Sequence, residues 1–90
     1  MSLLQRFVPQ ARQALLNLRN VVEAGGGALG DVVSLRIYVV AYEAHKAEAV
    51  GGAFREFFSG DAIPASTWVG VAALADPGFL IEIEAIAVID

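Results

Sequence analysis

The chain contains no cysteine and a single histidine, His45, among its 90 residues. Without cysteine, disulfide bonds, thiolate catalysis and cysteine-based zinc sites are excluded. One histidine alone argues against a histidine-based metal site and against a Ser-His-Asp triad. Basic residues are also scarce. The chain has six Lys and Arg but ten Asp and Glu, which gives a net charge of −4. Nucleic-acid binding needs a clustered basic surface, so this class of partner is disfavoured.

Long apolar runs are missing too, although the chain is rich in apolar residues. Charged residues or glycines interrupt every stretch before it reaches the ~20 residues of a membrane span. Arg6 lies near the N-terminus, but no signal-peptide core or cleavage site follows it, and we expect a cytoplasmic protein. Hydrophobic residues make up 57% of this short chain and charged residues only 18%, which favours self-association to cover apolar surface.

Two segments have the apolar periodicity of helices. The first is predicted from Pro9, which suits a first helical turn, to the glycines at 25–27. Its apolar stripe comprises Ala11, Ala14, Leu15, Leu18, Val21 and Val22. The second is predicted over residues 43–58, with Gly51 and Gly52 interrupting it near the middle. We expect residues 1–8 to form a weakly ordered N-terminal segment and residues 9–90 to form a single domain.

Three segments read as strands because of their β-branched and aromatic content: 32–40, 66–73 and 80–88. In the first, Val33, Leu35, Ile37 and Val39 are predicted to share one face. The turn signal Asp76-Pro77-Gly78 predicts that the last two strands form a hairpin. The order α-β-α-β-β predicts a two-layer sandwich with both helices on one side of the sheet. The other side, where we place Val32, Tyr38, Trp68 and Ile86, needs cover from another subunit.

The last strand carries the most informative pattern. Ile81, Ile83, Ala85 and Ala87 alternate with Glu82 and Glu84, whose carboxylates lie about 7 Å apart on one face of the sheet. Like charges on a partly apolar face are costly unless cations or donors meet them. The pair either faces open water, meets an arginine across a subunit boundary, or lines a substrate pocket in which a carboxylate acts as a base.

Five segments together resemble the Rid family (RidA/YjgF, or endoribonuclease L-PSP-like proteins) in order and spacing. They are QARQALLNL at 10–18, GDVV at 30–33, FREFF at 54–58, IPASTWVGV at 63–71 and IEIEAIAV at 81–88. The resemblance implies a chorismate-mutase-like α+β fold and a homotrimer with clefts between subunits. It also implies hydrolysis of imines and enamines of 2-oxo acids to release ammonia, without a metal or an organic cofactor.

The chain departs from the family pattern in two respects. Family members normally have a pair of strands ahead of the first helix, whereas this chain starts almost at that helix. In the deaminating branch an arginine follows the Pro-Ala pair and holds the substrate carboxylate, and here Ser66 occupies that position. Trp68 replaces a small thiol residue, and Gly51 falls where the family has an asparagine. The acid thought to position the attacking water is retained as Glu82.

The resemblance therefore names Glu82 as the candidate catalytic residue and Ser66, Thr67, Trp68 and Gly51 as candidate substrate-binding residues. Each has a structural alternative: Glu82 as a carboxylate bonded at a subunit boundary, Trp68 as a packing residue, the two hydroxyls as ordinary strand-start residues, and Gly51 as a position that allows close packing. Arg36 could supply the missing cation or form an intersubunit ion pair with Glu82 or Glu84.

Two functions remain open, and the third alternative is a shortened family member that has lost both. The protein is an imine or enamine deaminase with altered substrate, or a non-catalytic trimeric module that binds a small acid or metabolite between subunits. Ribonuclease activity is disfavoured by the acidic charge and by the lack of a His or Lys pair in a site.

Overall fold

A computed structural model describes residues 3–59 and 63–90 of the chain, and in these residues two helices and three strands follow the predicted order. They are α1 (Leu3–Ala24), β1 (Val32–Val40), α2 (Ala44–Phe57), β2 (Ala65–Val71) and β3 (Ile81–Ala87), with a 3-10 turn at Leu29–Asp31 before β1. The predicted α+β class is confirmed, and the bounds predicted for the first strand are those of β1. No helix in the described part is long and apolar enough to cross a membrane.

The strands form one sheet in the order β2-β1-β3, with β2 parallel and β3 antiparallel to the central β1. The hairpin predicted between the last two strands is therefore wrong. The turn itself exists, because Asp76 accepts hydrogen bonds from the backbone N–H groups of Gly78 and Phe79. Helix α2 carries the chain from β1 to the parallel β2, and the Asp76 turn then belongs to a longer connection that brings β3 to the other side of β1.

The hydrophobic core lies between the sheet and the two helices. Leu35, Ile37 and Val39 of β1 are almost fully buried on the side that faces the helices. The helices contribute residues at helical spacing to the same cluster: Phe7, Ala11, Leu15 and Val22 from α1, and Val50, Ala53 and Phe54 from α2. One side of the sheet is thus covered by helices, as the apolar stripes predicted.

Helix α1 begins at Leu3, so the predicted start at Pro9 is wrong. Proline inside a helix removes one hydrogen bond and costs about 3 kcal/mol. Phe7 offsets much of this cost, since its ring is only 1% exposed in the core and burial of a phenylalanine contributes about 1.5–3 kcal/mol. The segment 1–8 that we expected to be weakly ordered therefore includes a helical turn; residues 1 and 2 lie outside the described residues.

The alternation of β1 is broken near its start. Val32 is buried, whereas Val33, which we expected on the buried face, is 50% exposed. The pairing with β3 shifts register between Val32 and Ser34, as happens at a β-bulge. The extra residue turns Val33 outward and leaves Leu35 and the later residues on their predicted faces.

A buried lysine donates hydrogen bonds to the connection between β1 and α2. Lys46 is 8% exposed, and its ammonium donates to the carbonyl oxygens of Val40 at 3.1 Å and Ala41 at 2.8 Å. Ala41 has a φ of +52°, a left-handed conformation uncommon for a residue with a side chain. Lys46 thus holds the carbonyls that this tight turn would otherwise leave without donors.

Candidate functional site

The side of the sheet away from the helices carries the predicted acids. Paired strand residues point to the same side, so the register places Tyr38 beside Glu82, and Arg36 between Thr67 and Glu84. We call these five residues the acidic sheet face. Its polar side chains alternate with the buried residues of the core, which follows from the two-residue period of a strand.

Both carboxylates of the acidic sheet face are exposed. In the described residues, neither Glu82 nor Glu84 forms an ion pair, because the two ion pairs found there join Arg12 to Glu56 and His45 to Glu43. Arg36 and Glu84 are cross-strand neighbours about 5.5 Å apart at Cα, yet their side chains do not form an ion pair. An ion pair within the described part of the chain is thus not what compensates these charges, and the three predicted environments stay predictions.

Two candidate binding residues lie on the opposite side of the sheet. Ser66 pairs with Leu35 and Trp68 with Ile37, so both point toward the helices. The Ser66 hydroxyl donates to the carbonyl oxygen of Pro64 at 3.0 Å. The placement that we predicted for Trp68 on the outer face is therefore wrong, because the register fixed by β1 turns its ring inward.

Trp68 packs between two aromatic rings. Its ring centroid lies 5.6 Å from that of Phe54 on α2 and 6.1 Å from that of Tyr42 in the connection before α2. These separations are typical of favourable aromatic pairs. Within the chain, Trp68 thus joins β2 to the helical layer, which agrees with the packing alternative.

Gly51 lies within α2, which passes through both glycines without a break. The predicted interruption of the helix is wrong. A Cβ atom added at Gly51 would lie 3.3 Å from Nη1 of Arg55, the movable end of a long side chain. At Gly52 it would meet nothing within 4 Å. Neither glycine is thus required by close packing against the sheet.

The five candidate residues therefore fall in two places within one chain. Glu82 and Thr67 belong to the acidic sheet face, roughly 12 Å apart across three strands. Ser66, Trp68 and Gly51 belong to the helical side. The roles assigned to these residues stay predictions, and the described residues do not bring the two groups together into one site.

The described residues form a groove that sequence reasoning missed. It lies between α1 and β3, has a volume of about 690 Å³ and includes Glu82 at its rim. Ala14, Leu18 and Val21 of α1 line it on one side, and Ile83 and Ala85 of β3 line it on the other. The signal was present in the sequence, because the apolar stripe of α1 is wider than the core needs and leaves Val21 70% exposed.

One glutamine holds the end of the groove in place. The Gln10 side chain donates from Nε2 to the carbonyl oxygen of Gly78 at 2.9 Å and accepts at Oε1 from the N–H of Leu80 at 2.8 Å. The loop before β3 is thereby attached to α1. On the same helix, the Gln13 amide donates to Oδ1 of Asn17 at 2.8 Å along the rim.

A second polar cluster joins the outer surfaces of the helices. Arg12 forms a bidentate ion pair with Glu56 at 2.8 and 3.2 Å. The hydrogen bond from Arg12, and secondly its positive charge, hold the pKa of Glu56 below its ordinary value. No group of three or more His, Asp or Glu side chains able to hold a metal ion occurs in residues 3–59 and 63–90.

Comparison with known proteins identifies the family. Over residues 2–89, the sequence matches the family described as endoribonuclease L-PSP. This chain belongs to that family, whose members are also called YjgF or Rid proteins. The resemblance found in the five sequence segments is thus confirmed.

Three relatives show how far the similarity to the Rid family extends. A protein of Dermatophagoides farinae named 2-iminobutanoate/2-iminopropanoate deaminase is 37% identical over 81 residues, covering 90% of this chain and 60% of its own length. The crystal structure of a YjgF/YER057c/UK114 family member from Mycobacterium tuberculosis is 36% identical, with a TM-score of 0.76 and coverage of 87% of this chain and 64% of that chain. A Rid family protein from Yersinia pestis is 36% identical, with a TM-score of 0.80 and coverage of 98% and 63%.

This chain therefore spans about three fifths of the length of these relatives. The Rid fold is shared over nearly the whole of the present chain. The activity of the longer relatives is carried over only as a proposal.

Proposed function

We propose that this protein hydrolyses reactive imines and enamines of 2-oxo acids and releases ammonia. The observation that carries the proposal is the 37% identity to a relative named 2-iminobutanoate/2-iminopropanoate deaminase. It is supported by the exposure of Glu82, the acid to which the family resemblance assigns the positioning of water. A general base must be free to reach its proton, and Glu82 has no ion-pair partner in the described residues.

In the proposed reaction Glu82 accepts and donates the protons of one water molecule. The water oxygen bonds to C2 of the imine while Glu82 accepts a water proton and delivers it to the nitrogen, giving a carbinolamine. Glu82 then transfers the hydroxyl proton to the nitrogen, the C–N bond breaks, and the 2-oxo acid and ammonia leave. One water is consumed, and no oxidant, metal or organic cofactor takes part.

The substrate carboxylate needs a cation, and Ser66 cannot supply one. Arg36 is the cation of the acidic sheet face and lies one strand away from Glu84. A planar guanidinium suits bidentate contact with a carboxylate. In this proposal Arg36 takes the role that the family gives to the arginine missing at position 66, and the alternative is an ion pair between subunits.

We also propose that the protein works as a cytoplasmic homotrimer, with no nucleic-acid or membrane partner. Apolar residues on the outer side of the sheet support self-association, since Ile86 is 63% exposed beside the acidic sheet face. Cover from neighbouring subunits would also bring the two separate groups of candidate residues toward a common cleft. Light scattering coupled to size-exclusion chromatography measures this directly, and a monomeric mass would contradict it.

The second candidate function is a non-catalytic trimeric module that binds a small acid or metabolite. It is favoured by Ser66 at the position of the family arginine and by Trp68, which packs against Phe54. A charge-assisted hydrogen bond contributes about 1.5–3 kcal/mol, and its loss would weaken the hold on a 2-imino acid.

Ammonia release from freshly generated 2-iminopropanoate and 2-iminobutanoate tests the deaminase proposal. We expect wild type to accelerate release, Glu82→Gln to lose about 10²–10⁴-fold of the acceleration, and the matched control Glu84→Gln to keep it. If folded wild-type protein does not accelerate release, the deaminase function is contradicted. The non-catalytic binding module is then the remaining candidate function. Equal loss in both variants would contradict the specific role of Glu82.

A further inference from the structure

The side chain of Arg55 is folded back over Gly51 on α2. A Cβ atom built at Gly51 would lie 3.3 Å from Nη1, 3.7 Å from Nη2 and 3.8 Å from Cζ of Arg55. The guanidinium therefore borders the space that a side chain at position 51 would fill. Residues four apart share one face of a helix, and helical side chains tilt toward the N-terminus, so this placement needs no unusual geometry. The glycine leaves room for the arginine on the helix surface.

This flank of α2 adjoins the candidate binding residues of the helical side. Gly51 lies one turn before Phe54, whose ring centroid is 5.6 Å from that of Trp68. Trp68 and Ser66 point to the same side of β2, because they are two residues apart in one strand. Arg55 follows Phe54 in the helix and is exposed. The guanidinium thus lies at the border of this cluster, on the β2 side of the sheet rather than the β3 side.

The guanidinium of Arg55 has no acid partner among the described residues. The ion pairs in residues 3–59 and 63–90 use Arg12 and His45 as their basic members. Lys46, earlier in α2, is buried and donates to two backbone carbonyls. Glu48 lies on the same flank of the helix, and it does not pair with Arg55. On this side of the sheet, Arg55 is thus the cation whose donors are available to a ligand.

From these observations we propose that Arg55 binds a second carboxylate of the substrate, so that the preferred substrates are imines of dicarboxylic 2-oxo acids. The inference rests on the proposed function, in which Arg36 binds the carboxylate next to the imine carbon. A planar guanidinium binds a carboxylate through two parallel hydrogen bonds. The partly buried ring of Trp68 offers apolar surface to the methylene groups between the two carboxylates.

Gly51 determines specificity in this proposal through its effect on Arg55. A methyl group at position 51 would lie 3.3 Å from Nη1, and a larger side chain would displace the guanidinium. Gly52 is the matched comparison, because a Cβ atom there would meet nothing within 4 Å. A large side chain at position 51 should therefore remove the preference for a dicarboxylate, whereas the same side chain at position 52 should keep it.

Binding of two stable 2-oxo acids tests recognition apart from turnover. 2-Oxoglutarate carries the second carboxylate, and 2-oxopentanoate has a methyl group in its place. In isothermal titration calorimetry we expect wild type to bind 2-oxoglutarate at least about tenfold more tightly. Arg55→Met should remove this preference and leave the affinity for 2-oxopentanoate unchanged. Arg6→Met, which removes the same charge from an exposed position of α1, should keep the preference.

Ammonia release from freshly generated 2-iminoglutarate and 2-iminopentanoate tests the same preference in turnover. We expect Arg55→Met to lower kcat/KM for 2-iminoglutarate at least about tenfold, chiefly through KM, because the lost contact is remote from the reacting carbon. The values for 2-iminopentanoate should stay unchanged. Gly51→Leu should cause the same selective loss, and Gly52→Leu should not. If Arg55→Met does not fold, Gly51→Leu still decides the question.

Three outcomes would overturn the proposal. Equal affinity of wild type for the two 2-oxo acids, or binding of neither, would contradict a site for a second carboxylate. A preference that Arg55→Met retains would assign the contact to another residue. Equal loss of both substrates in Gly51→Leu would mean that this position blocks the cleft instead of positioning Arg55. In contrast, Arg55-dependent binding of 2-oxoglutarate without ammonia release from either imine would support the site and contradict the deaminase function.

Discussion

Gln10 on the first helix accepts a hydrogen bond from the backbone N–H of Leu80, at the start of the last strand, at 2.8 Å. The same amide donates to Gly78, so one side chain satisfies two backbone groups that lie far away in sequence. This contact positions both the groove and the strand that carries Glu82 and Glu84.

Replacing Gln10 should destabilise the fold more than replacing a neighbouring glutamine. Gln10→Ala removes two part-buried hydrogen bonds and leaves the N–H of Leu80 without its acceptor, so we expect a loss of about 1–3 kcal/mol in the free energy of unfolding. Gln13→Ala is the matched control, because the side-chain bond of Gln13 in the described residues is to exposed Asn17, and its loss should stay below about 0.5 kcal/mol. Urea denaturation measures both values, and similar losses would contradict the role of Gln10.

Replacing Lys46 should destabilise the protein, because this lysine is buried. Lys46→Met keeps an apolar stem of similar length but removes the donor for the carbonyl groups of Val40 and Ala41. We expect a loss of about 2–4 kcal/mol in urea denaturation, because charged hydrogen bonds contribute about 1.5–3 kcal/mol each and the freed carbonyls are part-buried. The exposed Arg55→Met on the same helix should change stability by less than about 0.5 kcal/mol. A Lys46→Met loss within that same range would show that water replaces the ammonium.

Replacing Ala41, the left-handed residue in the same turn, should raise stability, whereas replacing Lys46 should lower it. Ala41 has a φ of +52°, which glycine adopts without the steric cost that a Cβ atom imposes. Ala41→Gly should therefore raise the melting temperature and stabilise the protein by about 0.5–1 kcal/mol. Ala47→Gly, within α2, should destabilise by about 1 kcal/mol. A destabilising Ala41→Gly would mean that the entropy of the unfolded chain outweighs the strain.

Substitutions of the two glycines of α2 distinguish a structural role of Gly51 from a role in substrate binding. Gly52→Ala and Gly51→Ala should each stabilise the helix by about 0.5–1 kcal/mol, since the new Cβ meets open space at 52 and only the movable Arg55 side chain at 51. If Gly51 lines a substrate cleft, Gly51→Ala should lower the rate of ammonia release while Gly52→Ala leaves it unchanged. Equal rates of ammonia release in both variants would show that Gly51 does not line the substrate cleft.

The Arg12–Glu56 pair predicts a dependence on pH. The folded state lowers the pKa of Glu56, chiefly through the hydrogen bond from Arg12, so the pair stabilises the protein above the unfolded pKa of about 4.3. This contribution is lost as the pH falls through the folded pKa. Wild type should therefore be more stable than Glu56→Gln at neutral pH, with the difference shrinking in acid. A difference between wild type and Glu56→Gln that does not shrink in acid would contradict this prediction.

Local patterns predicted the elements well. The run from Val32 to Val40 is β-branched and aromatic throughout, and both of its ends are where the structure has them. The stripe of α1 was correctly assigned at Ala11, Leu15 and Val22, which are buried, whereas Val21 is 70% exposed. The start of α1 was missed because proline normally begins a helix, and nothing in the sequence indicates that Phe7 reaches the core from the preceding turn.

Pairing between strands could not be inferred from local signals. A turn at Asp76 indicates that the chain changes direction, but not which strand it meets next, so the order β2-β1-β3 was missed. The side on which Trp68 points depends on that pairing. Burial of Lys46 was missed for a related reason, since its partners are carbonyls made available by the unusual backbone at Ala41.

The position of the only tryptophan has a practical consequence. Trp68 lies between Phe54 and Tyr42 on the helical side, while Glu82 and Glu84 point to the other side of the sheet. Its intrinsic fluorescence therefore reports whether α2 is docked on the sheet, at a distance from both carboxylates. A variant of either glutamate that loses activity with an unchanged emission spectrum has kept its helical layer, and its defect belongs to chemistry or recognition rather than to folding.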